Sequence, residues 1–183
     1  MNLIKTSLMA VAMAAIAAPA FAADADVFDA FRLVCGETAA DYPAVVTAAE
    51  SNGWKNADLL ADTMKGVAVT DKTSRTKGVG DTGLSLFAWR GTAKDNVKVS
   101  ACTVRMDKAT MDGLEGAARA WMGFDPQSSE PAKNVFQFTQ NASGRVAVVS
   151  GGFDAAAAGA GMEILTVKAD SKGGTLDLLT IKK

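Results

Sequence analysis

GLSLFAWRG (83–91) and VKVSACTVRM (97–106) are two runs of strand-like composition separated by the polar stretch TAKDN (92–96). Residues pointing to one side of a strand recur every second position, so each run has one face made of alternate side chains. TAKDN has the length and composition of a hairpin connection. The same grammar returns near the C-terminus: NVFQFTQ and RVAVVS flank NASG, and MEILTVKA and TLDLLTIKK flank DSKGG. Three hairpins in one chain of ordinary globular composition predict an antiparallel sheet.

Upstream and between the hairpins the period changes from two to about three and a half. Val27, Phe28, Phe31, Val34 and Cys35 are spaced three and four apart, which predicts a helix capped by Asp26 and stopped by Gly36 in a left-handed conformation. Asp41 opens a second helix through YPAVVTAAESNGW, with Pro43 in its first turn and Asn52-Gly53 at its end. A short helix is expected over 57–64. DKTSRTKGVGDTG (71–83) is polar and glycine-punctuated and reads as a loop or irregular edge. Met111, Leu114, Ala118, Trp121 and Met122 form one face of a further helix ending at Gly123. The expected architecture is therefore α+β: an antiparallel sheet of about five to six strands with two to three helices packed mainly on one face. A β-sandwich with peripheral helices is the runner-up.

The N-terminus bears on compartment. Lys5 precedes the uncharged stretch LMAVAMAAIAA (8–18), and Ala20-Phe21-Ala22 follows the helix-breaking Pro19. This is the pattern of a secretory signal cleaved after Ala22. As a helix the apolar stretch would span roughly 16 Å, against roughly 30 Å of bilayer hydrocarbon, so a membrane anchor is not expected. Residues 1–22 are read as a signal peptide and 23–183 as a single α+β domain, placed in the periplasm.

Two cysteines, Cys35 at the end of the first helical stripe and Cys102 in the second strand, both face inward by their periodicity. In an oxidising compartment such a pair is expected to form a disulfide. Two cysteines without one histidine make a poor transition-metal site, so no metal is expected. The missing histidine also removes Ser-His and Cys-His nucleophile activation. With 19 basic and 20 acidic residues the chain has no field suited to nucleic acid. Gly151-Gly152 followed by Gly159 and Gly161 departs from a dinucleotide-binding fingerprint, and no cofactor is expected.

FRLVCGETAADYPAVVTAAESNGWK (31–55), with F-x-x-x-C, an intervening aspartate and a terminal Gly-Trp, resembles the N-terminal part of a group of small exported α-proteobacterial proteins. The resemblance covers about 25 residues, implies an exported bacterial protein, and carries no activity or site residue with it.

Function is therefore expected to be binding, to an envelope protein or a small ligand, through exposed loops. The candidate residues are Lys72, Arg75 and Lys77, with Lys65 nearby, and the glycine-rich stretch that begins at Gly151 and Gly152. Trp89-Arg90 and Arg119-x-Trp121 offer aromatic and cationic groups for a cleft, against the plainer reading of core packing. The alternative is a small periplasmic hydrolase using a carboxylate pair, with Asp107, Asp112 and Glu115 as candidate acids.

Overall fold

A computed structural model describes residues 19–59, 63–148 and 161–183, with side chains described from Ala23 onward. Helix α1 (Pro19–Phe31) runs directly into a π-helical turn (Arg32–Gly36), and α2 (Tyr42–Ser51) follows. Strands β1 (Lys55–Asn56), β2 (Ala68–Val79), β3 (Thr82–Thr92) and β4 (Lys98–Met106) precede α3 (Met111–Met122). Strands β5 (Ser128–Glu130), β6 (Lys133–Asn141), β7 (Gly144–Ala147), β8 (Met162–Asp170) and β9 (Gly173–Lys182) complete the chain. No helix among the described residues is long and apolar enough to cross a membrane.

All strands join one antiparallel sheet in the order β1-β2-β3-β4-β9-β8-β6-β5, with β7 also paired to β6. The α+β character is as expected, but nine strands among the described residues replace the expected five to six. The largest omission is β2, which takes up most of the segment read as a loop or irregular edge. Its polarity has a physical cause: apart from the two residues of β1, β2 forms the sheet's edge, where charged side chains discourage further strand pairing. Its side chains are half-exposed or exposed except Arg75. The remaining surplus comes from β1 and β5, of two and three residues, too short to show a period.

One face of the sheet carries the helices. Leu86, Cys102, Val104, Leu165, Leu176, Leu178, Phe136 and Phe138 point toward Phe31, Val34, Val45, Leu114 and Ala118 and are fully buried. Each fully buried Leu, Val or Phe contributes about 1.5–3 kcal/mol through area removed from water. The far face has a smaller cluster in which Val67, Val69 and Leu179 pack on Trp89, Val99 and Ala101.

Helix boundaries follow local chemistry in two of three cases. Asp41 caps α2 by accepting from the Ala44 amide at 3.3 Å, and Gly53 is left-handed just past its end. Thr110 caps α3 by accepting from the Gly113 amide, and Gly123 closes it with φ 76°. The first helix departs from expectation. Asp26 lies inside α1 rather than at its start. Gly36 is not a left-handed stop: a Cβ there would lie 2.6 Å from the Trp121 ring, so glycine permits helix α1 and its π-turn to approach α3 closely. Positive φ falls instead on Ala39 and Ala40, at 51° and 53°. No helix is present over 57–59 or 63–64, and the rest of that expected helix lies outside the described residues.

Candidate functional site

Cys35 and Cys102 are joined, as expected, with Cα atoms 5.4 Å apart. The bond fixes the π-turn to the middle of β4, and the chain just past Cys35 forms one wall of a cleft. The Ala40 amide donates back to the Cys35 carbonyl at 3.0 Å, closing the turn. The Thr180 hydroxyl of β9 donates to the Ala39 carbonyl at 2.7 Å. These bonds hold two successive alanines in a conformation that costs L-residues about 1–2 kcal/mol each. The chain then enters α2 with Tyr42 directed toward the end of the sheet.

On the sheet side, residues Asp71, Arg90, Ser100, Thr180 and Glu163 form one register row across β2, β3, β4, β9 and β8. Row positions on the helix-bearing face nearer the centre are apolar; this row is polar because the helices no longer cover all of it. The next row places Lys98 opposite both Thr92 and Lys182. A bulge at Thr70 interrupts the β2–β3 register between Val69 and Asp71. It brings the Asp71 carboxylate to the Arg90 guanidinium, which donates from Nε at 2.6 Å. Arg90 in turn lies over the Tyr42 ring, 5.6 Å from its centroid.

Between these walls is a cleft of about 330 Å³, bordered by Ala39, Tyr42, Arg90, Lys98, Ser100 and Lys182 among others, a volume within the range of small-molecule sites. The hydrogen bond from Arg90 holds the Asp71 carboxyl below its usual range, and Asp71 raises Arg90 in return. Burial, and then the Asp71 charge, push the Tyr42 phenol above its usual range. It therefore stays a neutral O–H donor at physiological pH. Asp41, also at the cleft, is committed to the α2 cap. The arrangement offers an aromatic face, hydroxyls and cations.

The residues singled out from sequence are dispersed. Lys72, Arg75 and Lys77 lie on β2, a strand and not a mobile loop. Lys72 pairs in register with Trp89 on the far face and is exposed. Arg75, on the helix face, is 5% exposed and pairs with Glu50 of α2 at 2.8 Å. Lys77 donates to the Asn52 carbonyl at the end of α2, at 2.8 Å. Two of the three cations thus fasten strand to helix. Gly151 and Gly152 lie outside the described residues.

Trp89 and Arg90, adjacent on a strand, point to opposite faces and cannot share a cleft. Arg119 is paired with Glu115 and Asp125, while Trp121 packs against Phe28 and Phe31 and lies under Arg145, 3.8 Å from guanidinium to ring centroid. Asp107 accepts from the Gly83 amide at 3.0 Å. Asp107 and Glu115 thus have separate partners, the Gly83 amide and Arg119. Sequence reasoning missed Tyr42, Lys98 and Lys182. The one signal for them was that Tyr42 is the only tyrosine and directly follows a helix cap.

No protein family, curated protein or solved structure matches this chain.

Proposed function

We propose that this protein is exported to the periplasm and acts there as a non-catalytic binding module, with the Tyr42–Arg90 cleft as its ligand site. The observation that carries the reading is a convergence of backbone irregularities. Left-handed Ala39 and the β-bulge at Thr70 line one cleft, with left-handed Ala40 next in the chain and the π-turn ending three residues before Ala39. Each is unfavourable or rare in isolation, and such features concentrate at binding and catalytic sites, where the surrounding structure enforces them. The disulfide and the Thr180–Ala39 bond do that enforcing here. Export rests on the signal-like first 22 residues and is supported by a disulfide, which persists in oxidising compartments. Cleavage after Ala22 would retain Asp24, the second residue of the mature chain, which is buried and accepts from the Thr110 amide at the start of α3.

The mature protein, residues 23–183, should be screened against a library of small polar and aromatic compounds by thermal shift. Ligands of the cleft are expected to stabilise the wild type and to lose that effect with Tyr42→Ala or Arg90→Ala. Hits indifferent to both substitutions would refute the cleft as the binding site. Turnover of a glycan, peptide or ester that a single Asp or Glu substitution abolishes in a folded protein would replace the binding reading with an enzymatic one. Sequencing the periplasmic form from its N-terminus tests export separately, with Ala23 as the expected first residue.

A further inference from the structure

The geometry points to an oxyanion-bearing small molecule, a carboxylate or a phosphate ester with an apolar or planar body, as the ligand of this cleft. The inference rests on the reading of the cleft as a binding site and adds the ligand's charge and shape.

Its basis is an arrangement that is unfavourable in a sheet. Lys98 and Lys182 face each other directly across β4 and β9, on the helix-bearing face and at the cleft's outer end. Like charges in direct cross-strand opposition are destabilising, and an opposite charge across from either lysine would remove the penalty. The Lys98 partner on its other side is instead the uncharged Thr92, whose hydroxyl accepts from Lys98 Nζ at 3.1 Å. Both lysines are exposed, so neither serves the core.

Charges around the pair have assignments that leave this end of the cleft cationic. Asp71 is bound to Arg90, and Asp41 is turned to the Ala44 amide. Glu163 lies one row inward and is 7% exposed; burial raises its carboxyl above the ordinary range, with Arg145 and then Lys182 opposing. The inner end of the cleft is different in kind, with the Tyr42 ring supplying apolar surface, the backbone of Gly91 and Val99 lining it, and the Ser100 hydroxyl one polar contact. A ligand matching both ends has a planar or apolar body against Tyr42 and an oxyanion between the lysines. Charge-assisted hydrogen bonds from two ammonium groups to one oxyanion are stronger than neutral ones and weaken with salt.

Calorimetric titration with benzoate, phenyl phosphate and benzyl alcohol tests this directly, because the three probes share a ring and differ in charge. At low ionic strength at least one of the two anions is expected to bind saturably at one site, tighter than benzyl alcohol, and which of them binds tighter distinguishes a carboxylate from a phosphate ligand. Lys98→Gln with Lys182→Gln should weaken that anion by roughly tenfold or more, whereas Lys72→Gln on the far face should leave it unchanged. Equal affinity for the anions and benzyl alcohol, or anion binding that survives the double lysine substitution, overturns the inference. If benzyl alcohol binds and Tyr42→Ala removes it, the cleft is a site for neutral ligands and only the anion assignment falls. If none of the probes binds, the assignment to an oxyanion on a planar body is wrong, and the library screen decides separately whether the cleft binds anything.

Discussion

Cys35, in a π-helical turn, is bonded to Cys102, at the centre of β4, and residues 39–42, just past Cys35, build one wall of the cleft. The bond closes 67 residues of chain. In the chain-entropy account such a loop is worth about 4 kcal/mol, a large part of a small domain's net stability. Replacing both cysteines by serine is expected to lower the unfolding free energy by up to that amount in denaturant titration. It should also weaken any cleft ligand beyond what the stability loss explains, since the left-handed alanines lose their anchor. Unchanged denaturation midpoints for reduced and oxidised protein would contradict this.

Two glycines of α3 should respond oppositely to alanine. At Gly113 a Cβ would stand 2.1 Å from Asp24 Oδ2, and Asp24 is the buried carboxylate that accepts from the Thr110 amide and hydroxyl at the helix start. Gly113→Ala is expected to cost about 2–3 kcal/mol, combining overpacking with a disturbed cap. Gly116 has nothing within 4 Å of its would-be Cβ, so Gly116→Ala is expected to stabilise by up to about 1 kcal/mol through helix propensity. Chemical denaturation of the two variants side by side checks both signs.

The cations of β2 separate in the same way. Arg75→Ala removes a buried side chain packed beneath α2 together with its Glu50 contact, and a loss of about 1–2 kcal/mol is expected, mostly from packing because Glu50 remains solvated. Lys72→Ala, at an exposed position, should stay within about 0.5 kcal/mol of wild type. Equal and negligible effects would show that Arg75 is not held as described.

Glu163 sets a pH dependence. Burial raises its carboxyl above the ordinary glutamate range, with Arg145 and Lys182 opposing. The folded state thus binds the proton more tightly than the unfolded chain. The group's contribution is fully present below the ordinary glutamate pKa and is lost as pH rises through the raised folded value. Glu163→Gln should abolish that decline, so the stability of the variant relative to wild type is expected to rise from about pH 4 to about pH 8. Thermal or urea unfolding across that range measures it; a constant difference between the two proteins would contradict a raised carboxyl.

Local signals were legible wherever a residue's role depends on its immediate neighbours. Asp41 and Thr110 cap helices through amides three residues away, Gly123 ends α3 because it alone tolerates positive φ without cost, and the alternation of 84–88 and 99–106 marks strands. The disulfide was legible too, since both cysteines fall on inward stripes of their own elements. These are short-range facts, carried by residues a few positions apart.

The rest depends on contacts between segments far apart in the chain. The polarity of β2 looked like a loop because an edge strand has little apolar surface to reveal its period. Arg75 became a buried tie to α2 only through a contact spanning 25 residues. The cleft joins Tyr42, Arg90, Lys98 and Lys182, which lie in four elements and become neighbours because β9 inserts beside β4 and the disulfide draws the chain entering α2 over the sheet's end. Strand order and register come from the joint packing of all apolar faces against one helical layer. No window of sequence contains that information, so the existence of the three helices, most strands and the covalent link were readable, while the start of α1 and the site were not, and the short helix expected over 57–64 is absent from the described part of that segment.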